Sequence, residues 1–440
     1  MFSSVWQALS EHPEFIAMLT IPPVTAFVTW AHVWMALEML FYPIKFWGIR
    51  INNMPFGLKG LGWQGIVPAK AGKISGKIVD QTLSKLGSLD EFFQAMEPEE
   101  MAEFITLTVD KNLENLIDEI MLERSYNLWT HMPYAIRRRI YSHVHAKLPD
   151  IMKALVMDLT YNVESLVDMR QMIVSKMESD RKLMVDMFLR VGKKEINFIW
   201  KISALIGFGF GVVQMAIFYF VPQHWTVPFF AMVWGALTNW IAIWMVFNPV
   251  EPRFIPFIRL FRYEMVDGHK RIRWMRPHWH TYSWQGGFMK RQDEVSSVFA
   301  EIVVKELVTL ENIMHEMMYG SRADQTRELM KSHLYGMLEE PVVATTLKMG
   351  MNEQSLDHFK DMILDKSIDA TMVPIRDPKL NTSRASKIFG LFEGRIRALT
   401  PKEFQNLLRP AFQEDEITLI VLGGITGFLA GWLHLVVVFF

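Results

Sequence analysis

Long apolar runs alternate with stretches in which apolar residues recur every three or four positions. Val24–Phe41, Ile202–Val221, Val227–Phe247 and Ile417–Phe440 hold no Lys, Arg or Asp. Each is close to the roughly 20 apolar residues that cross a bilayer as a helix. The first is the least uniform: it carries His32 and Glu38, and Pro22-Pro23 are expected to break any helix continuing from Phe15–Ile21. Between the runs, Met101, Phe104, Ile105, Leu113, Leu116, Ile117, Ile120 and Met121 fall at helical spacing. So do Leu166, Met169, Met172, Ile173, Leu183, Met184, Met187, Phe188 and Val191. Ser88…Glu91 and Thr400-Pro401…Glu403 have the form of capping boxes, the second with Pro at the first helical position. No alternating run reads as a strand.

The expected fold is therefore an all-α integral membrane protein with four transmembrane helices and two helical cytoplasmic regions. Its parts are an outer-side segment 1–23, spans 24–41 and 202–221, a hairpin 222–226, and spans 227–247 and 417–440. Cytoplasmic region A covers 42–201 and region B covers 248–416. Long amphipathic helices of this kind either form bundles or lie along the membrane surface.

Charge fixes the expected orientation. All 46 Lys and Arg fall in 42–201 and 248–416. Within 20 residues of a span they are Lys45, Arg50, Lys59, Lys182, Arg190, Lys193, Lys194, Lys201, Arg253, Arg259, Arg262, Arg397, Lys402 and Arg409, fourteen on this side against none on the other. The positive-inside rule then puts both long segments in the cytoplasm and both termini outside. The first run does not read as a cleaved signal peptide, because Glu11 and Glu14 stand where a basic n-region belongs.

The chain also aligns with itself. Pro22 to Pro43 matches Pro228 to Pro249 without a gap, through Trp34/Trp240, Ala36/Ala242, Met39/Met245 and Phe41/Phe247. Trp63-Gln64-Gly65 matches Trp284-Gln285-Gly286, a register that continues to Met96/Met317 through Ser75/Ser296, Leu86/Leu307 and Leu89/Leu310. Glu195-Ile196 and Glu416-Ile417 each precede a Gly-rich span. Two tandem copies of span, cytoplasmic region and span follow from this, entering the membrane in the same sense. The offset grows from 206 to 221, so the second copy carries about 15 extra residues between Pro249 and Trp284.

Composition narrows the function classes. With no cysteine, disulfides, thiolate metal sites and thiol catalysis are excluded. A net charge of −1 gives no overall attraction to nucleic acid. There is no Walker A, Gly-x-Ser-x-Gly or His-Glu-x-x-His motif, and His315-Glu316 lacks a second histidine. No catalytic residue, metal ligand set or cofactor site is expected.

Leu237-Thr238-Asn239-Trp240-Ile241-Ala242-Ile243-Trp244-Met245-Val246-Phe247-Asn248-Pro249 resembles the opening signature of the YheB/YjiN-like bacterial membrane proteins, a domain-of-unknown-function family. Asp180-Arg181-Lys182 through Gly192, Glu195, Phe198-Ile199, Gly207, Gly211 and Gln214 resembles its closing signature. The first copy departs from the opening pattern, with His32-Val33 for Thr238-Asn239 and Glu38 for Trp244. The last span has Leu433-His434 where the second has Val213-Gln214. The resemblance implies an inner-membrane protein with helical cytoplasmic regions, in two tandem copies, and implies no reaction.

Several residues stand out. Glu38 and His32 are ionisable groups inside a span, about 120° apart around the helix and so on different faces. Snorkelling or a structural hydrogen bond is the plain role for Glu38, and proton or ion coupling the sharper one. Thr238 and Asn239 are expected to bond across helices. Gly207 and Gly211, and Gly427 and Gly431, read as close helix contacts; Gly207-Phe208-Gly209-Phe210-Gly211 follows no strand and is not a dinucleotide loop. The extra stretch His269-Lys270-Arg271-Ile272-Arg273-Trp274-Met275-Arg276-Pro277-His278-Trp279-His280, followed by Trp284, Lys290 and Arg291, mixes cations with tryptophan. That mixture suits membrane-surface anchoring, with headgroup recognition or a partner contact as the sharper readings. Its cationic neighbours oppose a metal at His278-x-His280. Met169, Met172, Met177, Met184 and Met187 either fill a core or form an adaptable groove for acyl chains or a partner helix.

The sequence thus points to a non-enzymatic inner-membrane protein whose partners are membrane lipids, without nucleic acid. It would handle lipid or act as an assembly scaffold at the cytoplasmic face, as a homo-oligomer or a subunit of a larger assembly. The alternative is a multi-subunit transporter or channel.

Overall fold

The computed structural model describes residues 14–50, 60–81, 83–254, 261–266, 269–274, 283–339, 343–345, 353–413 and 416–439. Almost all of this is helical. In chain order the elements are α1 (Phe15–Phe41), β1 (Trp47–Arg50), β2 (Gly60–Trp63), α2 (Ile66–Ala69), α3 (Ala71–Gln81), α4 (Leu89–Ala95), α5 (Pro98–Asp110), α6 (Leu113–His131), α7 (Tyr134–Tyr161), α8 (Val163–Leu166), α9 (Met169–Ser179), α10 (Arg181–Phe220) and α11 (Thr226–Phe247). They continue as β3 (Arg253–Phe254), β4 (Phe261–Val266), β5 (His269–Trp274), β6 (Ser283–Trp284), α12 (Gly287–Lys290), α13 (Gln292–Ile302), α14 (Leu310–Tyr319), α15 (Ala323–Leu338), α16 (Glu353–Ile375), α17 (Pro378–Arg397), α18 (Pro401–Leu408), α19 (Pro410–Gln413) and α20 (Glu416–His434).

The chain divides into two compact units. The first joins Met1–Thr82, Met177–Val298 and Leu399–Phe440. Four helices in it are long and apolar enough to cross a membrane: α1, α10, α11 and Glu416–Phe439. Their outward faces carry large apolar side chains, among them Ile16, Phe27, Leu205, Phe220, Ile417 and Val437. A surface of that kind suits hydrocarbon rather than water. α1 packs along α10, and α11 along α20.

Two expectations change here. Pro22-Pro23 do not break the first helix, which runs unbroken from Phe15 to Phe41. The prolines remove two N–H donors, but away from water a helix is retained because packing holds it. Met18 and Ile21 are buried against Phe218 and Val227, and a side chain at Gly211 would meet Pro22 Cα at 2.5 Å. The second apolar run is the C-terminal half of one 40-residue helix, about 60 Å long at 1.5 Å per residue. The helices that precede α20 are short, α18 and α19, and Pro410 begins the second of them.

A third difference is the presence of short strands. Three two-stranded antiparallel ribbons occur among the described residues: β1–β2, β3–β6 and β4–β5. β1, β2, β3 and β6 are too short and too rich in Gly, Trp and cations to read as strands, whereas Phe261–Met265 in β4 does alternate apolar and polar positions and went unread. Trp47 pairs with Trp63 in the first and Arg253 with Trp284 in the second. Matching hydrogen bonds flank both: Gln64 Nε2 donates to Ile44 O at 2.8 Å and Gln285 Nε2 to Val250 O at 3.0 Å. Gly65 N donates to Pro43 O at 2.9 Å and Gly286 N to Pro249 O at 3.0 Å.

The second unit joins Leu83–Lys176 and Phe299–Ala398. Parts of 42–201 and 248–416 therefore share one core rather than folding as two separate bodies. Phe92 stacks on Phe392 at 4.1 Å. Buried Arg384 donates to Met96 O and to Glu100, both at 2.9 Å, and to Glu97 at 3.2 Å. Thr400 and Glu403 of the first unit form the complete capping box. Ser88 accepts from Glu91 N, but the Glu91 carboxylate turns to Arg395 at 2.7 Å, so only half of that box exists. Met172, Met177, Met184 and Met187 are buried, which makes this methionine row core filling rather than an open groove.

Candidate functional site

The buried stripe of α10 runs Met184, Phe188, Val191, Glu195, Ile199, Ser203, Gly207, Gly211, Gln214 and Phe218. Steps of three and four keep it on one face. Glu195 is the single carboxylate in that stripe, and only 5% of it is exposed. Beside it lies a cavity of about 340 Å³. Lys194, Glu195, Phe198 and Ile199 of α10 form one wall, Met245 and Val246 of α11 a second, and Gln285, Gly287, Lys290 and Arg291 the third. Phe288 and Met289 are buried, Lys290 is exposed and Arg291 is half-buried.

Arg291 Nη1 donates to Glu195 Oε1 at 2.5 Å. Its Nη2 and Nε reach the two oxygens of Glu294 at 2.8 and 2.9 Å. Lys194 Nζ meets Glu294 Oε1 at 2.5 Å. Burial opposes the Arg291 charge, yet hydrogen bonds and attraction from Glu294 and Glu195 outweigh it and hold its pKa above the usual value. Hydrogen bonds from Arg291 and Lys194 hold Glu294 down at about 2. Two groups stay open: Glu195 Oε2 is buried with no protein hydrogen bond, and Lys290 is exposed with no ion pair among the described residues. Three cations face two carboxylates, a net of one positive charge.

Arg291 is held by the Glu195 and Glu294 carboxylates. Lys290 remains available at the cavity edge. Lys270, Arg271, Arg273 and Trp274 lie on β5 and Trp284 on β6. Arg276, Trp279, His278 and His280 lie outside the described residues.

Deeper in the first unit the helix interface is polar. His32 is buried, with Nδ1 3.0 Å from Val28 O; Glu38 is exposed on another face, as the spacing implies. Gln214 Nε2 donates to Val227 O at 3.1 Å, and His434 Nε2 lies 3.0 Å from Thr20 Oγ1. These groups, with Thr25, Thr29 and Trp234, line a void of about 20 Å³, enough for one water. His32 Nε2, Gln214 Oε1 and Trp234 Nε1 are buried without a protein hydrogen bond of ordinary geometry. Asn239 bonds across helices to Leu419 O at 2.7 Å, whereas Thr238 bonds back to Trp234 O within its own helix. A Cβ at Gly207 would sit 2.6 Å from Thr29 Cβ, and one at Gly431 2.6 Å from Ala231 Cβ; one at Gly427 would strike Ala231 O.

The second unit holds an apolar trough with a cavity volume of about 140 Å³. Leu116, Ile120, Val144, Leu148, Leu334 and Phe359 are in its wall. Thr371 lies there too, but its hydroxyl donates to Ser367 O at 2.8 Å. At one edge Trp129 Nε1 donates to Asp118 at 2.9 Å, and the Tyr141 hydroxyl donates to the same oxygen. Burial, then Asp118, pushes the Tyr141 phenol above its ordinary pKa.

Sequence reasoning named Glu195, Gln214 and His434 only as pattern positions, without a role, and did not find the trough. The first three were legible as polar positions in otherwise apolar stripes. The trough joins the consecutive helices α5, α6 and α7 to α15 and α16, which are distant from them in sequence. No protein-family model, curated protein or solved structure matches the chain.

Proposed function

We propose that the chain is a non-enzymatic, multi-pass inner-membrane protein that binds and handles phospholipid at the cytoplasmic face. The carrying observation is the Glu195 cavity. It lies where α10 changes from basic to apolar, and its lining combines the open ammonium of Lys290, with Lys194 and Arg291 beside it, and the apolar side chains of Phe198, Ile199, Met245 and Val246. A phosphodiester needs the first set, and the start of an acyl chain suits the second. At about 340 Å³ the cavity admits a headgroup rather than a whole lipid. The apolar trough of the second unit supports the same reading, since its wall offers an alkyl chain contact without stranding polar groups.

Tandem duplication accompanies the proposal. Its support is the recurrence of one geometry in the two halves of the chain: the two ribbon pairings, the two glutamine bonds, and the glycine contacts of Gly207 and Gly211 on α1 against those of Gly427 and Gly431 on α11. The resemblance to the YheB/YjiN-like proteins agrees with this layout, and the one-sided Lys and Arg support the orientation. Four helices make a thin bundle, so a homo-oligomer or a larger assembly is part of the proposal.

The test is a native mass spectrum of the protein released from its own membrane without lipid exchange. A fixed number of co-purifying phospholipids, reduced in a Lys194→Gln/Lys290→Gln variant, is expected. A lipid-free mass for the unaltered chain refutes the reading. The buried polar contacts of His32, Gln214 and His434 favour one second reading, a multi-subunit transporter or channel that moves protons. It requires proton flux in proteoliposomes that is lost in His32→Ala; flux insensitive to that change removes it.

A further inference from the structure

The cavity holds one more piece of chemistry, a buried carboxylate oxygen without a protein donor on one of its lining residues. Arg291 occupies Glu195 Oε1, while Oε2 has no protein donor although the side chain is 6% exposed. An unpaired buried acceptor is costly, and here it lines the same cavity as the unpaired ammonium of Lys290. One wall group thus seeks an anion and another seeks an N–H donor. We propose that the site selects phospholipids whose headgroup bears a primary ammonium, the phosphodiester meeting Lys290 and the ammonium donating to Glu195 Oε2. This rests on the reading of the cavity as a phospholipid site.

The chemistry ranks the alternatives. A trimethylammonium headgroup has no N–H and leaves Oε2 unpaired. It is held elsewhere by aromatic cages, and among the described residues Phe198 is the only aromatic ring in this wall. A glycerol headgroup can donate from a hydroxyl, but it forgoes the charge-assisted bond, roughly twice as strong as a neutral one. The preference is therefore ammonium first, glycerol second and choline last. Losing a hydrogen bond to a charged partner corresponds to roughly tenfold to a hundredfold in affinity.

The experiment uses the full chain in detergent, stripped of lipid. Binding of lipids with ethanolamine, serine, glycerol and choline headgroups and identical chains is measured by native mass spectrometry. The ethanolamine or serine lipid should bind at least about tenfold more tightly than the choline lipid, and the two arms tell which ammonium headgroup is used. Glu195→Gln should erase the preference while glycerol-lipid binding persists, and Lys290→Gln should weaken all four alike. Should the altered chain fail to fold, the ranking on the unaltered chain decides alone. Equal or tighter binding of the glycerol or choline lipid overturns the headgroup assignment and leaves the phospholipid reading standing. Binding of none of the four overturns both.

Discussion

Arg291 is the strongest point at which to test the interface. Its guanidinium contacts three carboxylate oxygens, and one of them belongs to Glu195, whose side chain is 6% exposed. Arg291→Met strands that carboxylate. Breaking a buried pair by removing one partner costs about 3–5 kcal/mol, and because Arg291 is itself 23% exposed the lower end, about 3 kcal/mol, is expected. Glu195→Gln removes the buried charge and leaves Arg291 held by Glu294, so about 1.5 kcal/mol is expected, the worth of a charged hydrogen bond. The double variant contains no stranded carboxylate. It should lose about 2 kcal/mol rather than the sum of the single losses, a coupling within the range found for contacting pairs. The assay is unfolding by SDS in mixed micelles, followed through the 15 tryptophans. Losses that add within about 0.5 kcal/mol, or an Arg291→Met variant as stable as the unaltered chain, would refute the reasoning.

Other outcomes follow from the same geometry. Glu294 is depressed from 4.5 to about 2 in the folded state, so its contribution is full above pH 4.5 and fades as the pH falls toward 2. An acid titration of stability should show that loss, and Glu294→Gln should remove it. Gly427→Leu drives a side chain into Ala231 O and should cost about 1–3 kcal/mol in SDS unfolding, whereas Gly209→Leu, which meets nothing within 4 Å, should be close to neutral. Ala370→Phe narrows the trough of the second unit; binding of a fluorescent fatty acid should be abolished without loss of helical circular dichroism, and unchanged binding would assign the trough no ligand.

Much of the architecture is a property of the sequence alone. Apolar runs near 20 residues force helices, because backbone polar groups in hydrocarbon must pair within their own segment. The one-sided Lys and Arg, the self-alignment and the Thr400 cap are local or near-local signals, and each could be read residue by residue. Pro22-Pro23 show where local rules stop: their intrinsic cost is real, but packing against α10 and the lack of competing water decide the outcome. Ser88 shows the same limit, since Glu91 has a better partner in Arg395, distant in sequence. The site was half legible. Lys290 and Arg291 stood out by charge, yet nothing near Arg291 in the sequence names Glu195, 96 residues away. Tertiary structure alone determined that these two share one cavity, that Lys290 stays free, and that parts of 42–201 and 248–416 merge into one core. The physical reason is that burial and ion pairing are settled by which helix faces meet, and a face's partner is not written in its own periodicity.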